Sequence, residues 1–295
     1  MYLDDGLGVH DDKELCTQMA IQVLKDIISS GFVNEKSLWT LIKNPTFLGT
    51  TIYTDKGGFT IPDNRIDKIM STISDIDLCL TKNGNVFVRK VASLVRQIIS
   101  TSPVIGNIVF LMIKHLSIDI NSVHSWNSYI HLSVDSIDQI NFWRFNLHEA
   151  NVKPFKTDVS LQTIVYSDAS NTGYGGYIVE NPYNIAHGTW LESEVSTSST
   201  WKELTAVKNV FLSLLNFLSG KNVKWFTDNQ NVVSIVSKGS TKSVLQKLAL
   251  DIFSTCITHN VNIDMVWIPR TENERADYLS RIIDLDDWAI FEFVF

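Results

Sequence analysis

Four acidic residues in the second half of the chain are the side chains most able to do chemistry. They are Asp168, Glu203, Asp228 and Asp277, and each is expected at the edge of a strand or a helix. Carboxylates gathered in one place repel one another and have raised pKa values unless cations neutralise them. A pair of magnesium ions would neutralise them and would suit the hydrolysis of a phosphodiester.

Each of these acids also has a structural explanation that needs no ligand. Glu203 follows Thr200 at the spacing of a capping box, in which the carboxylate only accepts a hydrogen bond from a backbone N–H. Asp228 is suited to cap a following helix, Asp168 to start an Asx turn, and Asp277 to offset a helix dipole. Taken singly, these explanations outweigh metal binding, and the acids favour a metal site only as a set.

The elements that must position the acids form an α/β pattern. Strands are predicted over residues 163–166, 176–179, 185–190, 223–226 and 263–268, and helices over residues 199–218, 229–237, 242–259 and 273–281. Three strands followed by alternating helices and strands indicate a mixed sheet covered by helices. Asp168 and Asp228 then end two strands, where open α/β sheets place their sites. Glu203 is predicted in the first turn of its helix.

In the first half of the chain, a hairpin turn is predicted over residues 1–10, followed by a helix and a second hairpin. Apolar residues at four-residue spacing from Leu15 onward predict a helix that ends at Gly31. Strands are predicted over residues 47–53 and 59–61. Three or four helices are predicted between residues 63 and 149.

A domain boundary is predicted where periodicity is lost. Residues 150–162 have no clear pattern and include Pro154. We therefore predict three domains, over residues 1–62, 63–150 and 151–295.

Composition indicates a globular protein without a membrane segment. Of the 295 residues, 44% are hydrophobic and 19% charged, which provides enough apolar material for a core. Three widely spaced cysteines imply neither a disulfide framework nor a zinc site. No secretory signal or bilayer-spanning stretch is recognisable, so we expect an intracellular location, in the cytoplasm or the nucleus.

The net charge of −7 argues mildly against a dedicated nucleic-acid binder, which usually carries a basic face. Net charge does not describe how charges are distributed. The candidates for contacts to phosphate are Lys202, Lys208, Lys221, Lys224, Lys238, Lys242 and Lys247. For any single one of these lysines, a solvated charge on a helix face is the more common explanation.

The residues around the four acids resemble ribonuclease H of the type carried by retroelements. The resemblance depends on Ser-Asp168-Ala-Ser, Lys-Glu203-Leu, Thr-Asp228-Asn and Asn-Glu-Arg-Ala-Asp277, in this order, and covers about residues 163–282. It implies that the four acids ligate two Mg²⁺ ions, with Mn²⁺ as an alternative. It also implies that the substrate is an RNA–DNA hybrid.

The same resemblance implies further substrate contacts. A small-residue turn, in which backbone approaches a ribose, is predicted over residues 171–176, and its glycines are Gly173, Gly175 and Gly176. Asn229 is expected to contact substrate as well. The histidine that many ribonucleases H carry before the last helix has no counterpart in residues 269–273.

The N-terminal sequence is similar to the later part of a reverse transcriptase. Tyr2-Leu3-Asp4-Asp5 resembles the Tyr-x-Asp-Asp box, which makes Asp4 and Asp5 a remnant of a polymerase site. Together with the downstream residues, the chain resembles the C-terminal part of a DIRS-like (tyrosine-recombinase) retrotransposon reverse transcriptase with its ribonuclease H.

This resemblance gives each of the three predicted domains an identity. Residues 1–62 would be a truncated palm, and residues 63–150 a helical thumb and connection. Residues 151–295 would be a ribonuclease H-like domain with a short tail that includes Asp286, Asp287 and Trp288. The sequence contains no fingers and no upstream metal-binding aspartate, so we expect no DNA synthesis.

The resemblance thus implies metal-dependent endonucleolytic hydrolysis of RNA in RNA–DNA hybrids. The alternative is a catalytically dead retroelement remnant that binds nucleic acid or another protein, which the truncated start and the acidic charge favour. Retention of all four acids favours catalysis. A third possibility is a polymerase subunit completed by a separate fingers fragment. The remainder of a retroelement polyprotein is the protein partner that the resemblance implies.

Overall fold

The computed structural model describes residues 7–31, 42–55, 57–155 and 162–283. The predicted polymerase remnant, Asp4 and Asp5, lies outside the described residues. The tail residues 286–288 lie outside them too.

Helices dominate the N-terminal part. Their bounds are α1 Lys13–Ser29, α2 Asp63–Asn83, α3 Val88–Ile99, α4 Ser102–Ile105, α5 Ile108–Leu111, α6 Lys114–Asn121 and α7 Val134–Asn146. The helix predicted from Leu15 is confirmed. The prediction of three or four helices between residues 63 and 149 is wrong, because six occur among the described residues. Pro103 lies in the first turn of α4 and Gly106, with a φ of 85°, ends it, so the apolar stretch divides into short helices.

Short strands accompany these helices. Their bounds are β1 Thr46–Phe47, β2 Thr50–Tyr53, β3 Gly58–Thr60, β4 Val86–Phe87, β5 Tyr129–Ile130 and β6 Lys153–Pro154. An antiparallel sheet has the order β1-β2-β3-β6, and β4 pairs with β5. The single strand predicted over residues 47–53 is wrong. Leu48 and Gly49 have φ angles of 48° and 74°, and this left-handed turn separates β1 from β2.

A five-stranded mixed sheet forms the centre of the C-terminal part. Its strands are β7 Gln162–Ala169, β8 Gly173–Ile178, β9 Ile185–Thr189, β10 Asn222–Thr227 and β11 Asn262–Trp267. The order is β11-β10-β7-β8-β9. Strand β8 is antiparallel to both β7 and β9, whereas β10 is parallel to both β7 and β11. The predicted mixed sheet is confirmed.

Helices flank this sheet close to where the sequence predicts them. Their bounds are α8 Ser199–Ser213, α9 Leu215–Leu218, α10 Gln230–Lys238, α11 Ser243–Thr258 and α12 Glu274–Leu279. The helix predicted over residues 199–218 is interrupted, because Leu214 adopts φ −99° and ψ 8° and leaves the helical conformation.

The glycine-rich turn predicted over residues 171–176 is wrong in its extent. Gly173, Gly175 and Gly176 lie in β8, and their φ angles are outside the left-handed region. A Cβ at Gly175 would lie 2.5 Å from the backbone of Leu279 in α12. Glycine at this position therefore serves close packing between strand and helix rather than a turn.

Two hydrophobic cores lie on either side of the predicted boundary at residue 150. The helical core includes Ile61 and Trp143, and the other core lies between the mixed sheet and its helices. Contacts cross the predicted boundaries, because Ile61 packs with the helices and β6 pairs with β3. Leu111 of α5 belongs to the core of the mixed sheet and is only 3% exposed. The three-domain division stays a prediction.

Within the described ranges, none of the helices combines the length and the apolar character needed to span a membrane. The predicted intracellular location stays a prediction.

Candidate active site

Three of the four predicted acids meet at one edge of the mixed sheet. Asp168 is the second-last residue of β7, Asp228 directly follows β10, and Glu203 lies in α8. Each offers a carboxylate oxygen, and these oxygens lie within 4.8 Å of one another. The convergence follows from the topology, because β7 and β10 are parallel neighbours whose C-terminal ends share one edge.

The structure excludes the capping-box explanation for Glu203. The N-cap of α8 is Ser198, whose Oγ accepts a hydrogen bond from the N–H of Trp201 at 3.3 Å. Thr200 is therefore inside the helix, and Glu203 lies in its second turn rather than in the first turn as predicted. From there its side chain reaches the other two acids.

Asn229, and not Asp228, caps the helix that follows β10. The side-chain oxygen of Asn229 accepts hydrogen bonds from the N–H groups of Asn231 and Val232, at 3.0 and 3.3 Å. This oxygen is therefore committed to α10.

Buried polar side chains orient Asp168, which is 3% exposed. Its Oδ2 accepts a hydrogen bond from Ser280 Oγ at 3.0 Å, and its Oδ1 accepts one from Asn273 Nδ2 at 3.4 Å. Asn273 Nδ2 also donates to the carbonyl of Ser167 at 3.0 Å. Sequence reasoning did not assign Asn273 or Ser280 to the site, although both belong to the segment that resembles ribonuclease H.

The three acids share an unfavourable environment for negative charge. Burial, then the charges of Asp168 and Asp228, raises the pKa of Glu203 to about 9. Burial, then the charge of Asp228, raises the pKa of Asp168 to about 6. Burial is also the main cause that raises the pKa of Asp228. Such shifts are expected where carboxylates converge without a cation.

A divalent metal ion fits this group of residues. Glu203 Oε2 is buried and has no hydrogen-bond partner among the described residues. A buried polar atom in this condition costs about 1–3 kcal/mol, which a cation bound to it would offset. Carboxylate oxygens are the donors that Mg²⁺ and Mn²⁺ prefer.

The fourth acid, Asp277, lies beside this cluster in a different state. Its Oδ1 accepts hydrogen bonds from Arg270 Nη2 at 3.0 Å and Arg281 Nη2 at 2.7 Å, and its Oδ2 accepts one from Arg281 Nε at 2.9 Å. These bonds, with that from Arg281 the strongest, lower the pKa of Asp277. The structure therefore brings together three predicted ligands and holds the fourth in ion pairs.

Cations also line the cleft that contains the acids. These are Lys202, Arg270 and Arg281. Lys202 is one of the lysines predicted to contact phosphate, whereas Lys208 instead pairs with Asp251 at 2.6 Å. Sequence reasoning did not select the two arginines. The four-residue spacing of Asp277 and Arg281 was the available signal.

The sheet order and the acids at its edge define a ribonuclease H-like class of fold. A family described as "RNase H-like domain found in reverse transcriptase" matches residues 158–253. The predicted fold class, a ribonuclease H-like mixed sheet flanked by helices, is confirmed. The match supports kinship with reverse transcriptases, and a DIRS-like origin stays a prediction. No curated protein matches the chain.

Solved structures similar to this chain include ribonucleases H and a viral reverse transcriptase. LC11-RNase H1 in complex with an RNA/DNA hybrid is 22% identical, with a TM-score of 0.35, over 40% of this chain and 93% of that chain. RNase H1 from the halophilic archaeon Halobacterium salinarum is 20% identical, with a TM-score of 0.34, over 40% of this chain and 94% of that chain. The foamy viral protease-reverse transcriptase in complex with an RNA/DNA hybrid is 13% identical, with a TM-score of 0.40, over 96% of this chain and 36% of that chain.

Proposed function

We propose that this chain is a metal-dependent ribonuclease that cuts the RNA strand of RNA–DNA hybrids endonucleolytically. The observation that supports it is the convergence of three carboxylate oxygens within 4.8 Å of one another, on a domain of the ribonuclease H-like class. Asp168, Glu203 and Asp228 would hold the metal, with Asp277 completing the set. The expected metal is magnesium, as two ions, and manganese would substitute.

Each ligand has a distinct task in this proposal. When bound, a pair of magnesium ions supplies the positive charge that stabilises the attacking and leaving oxygens of a phosphodiester. Asp168 is held by Ser280 and Asn273 in a fixed orientation, so its carboxylate is preorganised. Glu203 provides the otherwise unpartnered Oε2. Asp228 is partly exposed, unlike the other two acids, and would provide a ligand from the end of β10.

Protons and metal compete for two of the acids. The pKa values of about 9 for Glu203 and about 6 for Asp168 mean that the metal-free site retains protons near neutral pH. Ligands must be deprotonated to bind a cation. The affinity for metal, and the rate of cleavage at limiting metal, should therefore rise with pH.

Recognition of RNA would depend on the 2′-hydroxyl, which distinguishes it from DNA. Glu203 and the turn at Ser170 and Asn171, which line the cleft beside the acids, are the candidate contacts. The glycines of β8 are less suited to this task than predicted. The space beside Gly175 is filled by Leu279 and Ser280, and that beside Gly173 by the carbonyl of Gly188.

The test is cleavage of a labelled RNA strand in an RNA–DNA hybrid, with Mg²⁺ or Mn²⁺. Duplex DNA and duplex RNA are the comparison substrates. Asp228→Asn should reduce cleavage by roughly 100-fold or more, since loss of a metal ligand should cost at least as much as loss of a supporting residue. Asp264→Asn is the matched control, because Asp264 is an exposed acid of β11. Full cleavage by Asp228→Asn would overturn the assigned site. No cleavage by the folded wild-type protein would favour the remnant that only binds nucleic acid or a partner.

A further inference from the structure

Asp277 is bound at both carboxylate oxygens by two arginines that line the catalytic cleft. Arg281 donates to Oδ1 and Oδ2, at 2.7 and 2.9 Å, and Arg270 donates to Oδ1 at 3.0 Å. The arginine side chains are 71% and 52% exposed for Arg270 and Arg281, whereas that of Asp277 is 25% exposed. The guanidinium groups are thus open to solvent while the acid between them is partly covered.

A guanidinium group binds carboxylate and phosphate with the same fork of N–H donors. Ion pairs with guanidinium groups as exposed as these are weak, because water competes for both partners. A phosphodiester in the cleft would therefore replace Asp277 at little cost.

Negative charges in the cleft mean that an anionic ligand needs cations such as Arg270 and Arg281 in order to bind. Asp168 and Asp228 line the same cleft, and their negative charges repel phosphate. The charge of Arg270 opposes the raised pKa of each of the three clustered acids. Arg270 lines the cleft together with these acids and also donates to Asp277, so a phosphodiester that enters the cleft would meet its positive charge.

We propose that Arg270 and Arg281 form a phosphodiester-binding pair, which Asp277 occupies until nucleic acid replaces it. The replacement frees the carboxylate of Asp277 to join the other three acids. Binding of nucleic acid and completion of the acid set are then coupled. This inference rests on the proposed function, because it takes the ligand to be the backbone of an RNA–DNA hybrid.

The first test measures binding of a fluorescent RNA–DNA hybrid by anisotropy in EDTA, across a series of salt concentrations. Arg270→Gln and Arg281→Gln should each weaken binding by roughly fivefold to tenfold at about 0.1 M salt, the share of one phosphate contact. Each should also reduce the slope of log K against log salt by about one. Arg275→Gln is the matched control, because Arg275 does not line the cleft; its guanidinium lies 4.2 Å from the ring centroid of Tyr177. It should change binding by less than about twofold.

The second test asks whether Asp277 competes with the nucleic acid. Asp277→Asn should tighten binding of the hybrid in EDTA, because it releases both arginines. The gain should disappear when Arg270→Gln and Arg281→Gln are already present, as a double-mutant cycle would reveal. Glu274→Gln, which removes an exposed acid from the same helix, gives the gain expected from net charge alone.

The proposal is overturned if Arg275→Gln weakens binding as much as the cleft variants. It is also overturned if the gain from Asp277→Asn persists without the arginines, or if no hybrid binding is measurable in EDTA. The arginine variants test it even if Asp277→Asn does not fold. Cleavage by the wild-type protein with metal is scored separately. If the gain from Asp277→Asn depends on the arginines but the wild-type protein does not cleave, only the proposed function is refuted. If the wild-type protein cleaves but the effects of Asp277→Asn and of the arginine variants are independent, only the arginine pair is refuted.

Discussion

Glu203 is the residue whose surroundings determine the protonation state of the metal-free site. It is 9% exposed, one of its oxygens is unpartnered, and its pKa is raised to about 9. An exposed glutamate is ionised at neutral pH, whereas this one retains its proton. In the absence of metal, a proton on Glu203 and the positive charge of Arg270 therefore reduce the repulsion among the three carboxylates.

The stability of the metal-free protein should fall as pH rises, because of Glu203. Its folded-state pKa of about 9 is above the ordinary value of 4.5. The stabilising effect of the bound proton is therefore complete below about pH 4.5 and is lost as pH rises through about 9. Asp168, with a folded-state pKa of about 6, contributes in the lower part of this window. Urea unfolding in EDTA between pH 5 and pH 9 measures the effect.

Glu203→Gln should flatten this dependence and raise the free energy of unfolding at pH 9 above that of the wild type, because the amide cannot ionise. Glu192→Gln, at an exposed position, is the control and should leave the pH dependence unchanged. An unaltered slope in Glu203→Gln would contradict the raised pKa.

The sequence identifies the acids of the site better than the residues that support them. Asp168, Glu203 and Asp228 stand out because their neighbours resemble a known set in order, and the structure brings them together. Arg270 and Arg281 are less conspicuous, because exposed arginines occur on most surfaces. Their proximity to Asp277 and the cleft depends on three-dimensional structure.

At the scale of elements, the contact between β8 and α12 positions the site. Gly175 lies beside Leu279 and Ser280, and Ser280 donates a hydrogen bond to Asp168. The absence of a side chain at Gly175 lets α12 approach the strand, and this approach places Ser280 and Asp277 beside the cluster. Strand–helix packing and site geometry are therefore linked through one glycine.

Gly175→Ala should destabilise the fold by about 1–3 kcal/mol, because the added methyl group meets backbone atoms that must shift. Urea unfolding at pH 7 measures this loss. Gly8→Ala is the control, since nothing lies within 4 Å of the position of its added Cβ. Unchanged stability with weakened binding of the hybrid would instead favour the predicted contact between Gly175 and a ribose.

Element positions in the C-terminal part were largely predictable, because strands and helices alternate with clear apolar patterns. The predicted strand over residues 223–226 and helix over residues 242–259 agree with β10 and α11 to within about a residue at each end. One error occurs where glycine residues are needed for close packing. Residues 171–176 read as a turn from composition, whereas their glycines are needed for packing within a strand.

Across the whole molecule, one carbonyl connects the two cores. The carbonyl oxygen of Leu111 accepts hydrogen bonds from Gln139 Nε2 at 3.2 Å and from Gln246 Nε2 at 3.0 Å. Gln139 lies in α7 and Gln246 in α11, and both are buried. The side chain of Leu111 packs into the core of the mixed sheet. The helical part and the sheet are consequently coupled by polar and apolar contacts at α5.

Gln246→Ala should lower the free energy of unfolding by about 1–3 kcal/mol, because the carbonyl of Leu111 loses a buried donor and the N–H of Ser240 loses its part-buried acceptor. Urea unfolding followed by tryptophan fluorescence and by circular dichroism gives this value and tests whether the two probes still coincide. Gln230→Ala, at an exposed position in α10, is the control. Equal effects of the two substitutions would contradict the coupling.

The sequence does not reveal this coupling, because a boundary is inferred from composition while a shared core depends on contacts distant in sequence. Leu111 and Gln246 are 135 residues apart. The break near Pro154 is visible as a loss of periodicity, yet β6 at that position still pairs with β3.

The central claim is that Asp168, Glu203 and Asp228 bind a divalent metal ion. Calorimetric titration of Mn²⁺ into the metal-free protein at pH 7, in two buffers of different ionisation enthalpy, tests it most directly. We predict saturable binding with release of about one proton, mainly from Glu203, and loss of this binding in Asp168→Asn but not in Asp264→Asn. No saturable binding by the wild-type protein, or binding that Asp168→Asn leaves unchanged, would contradict the account.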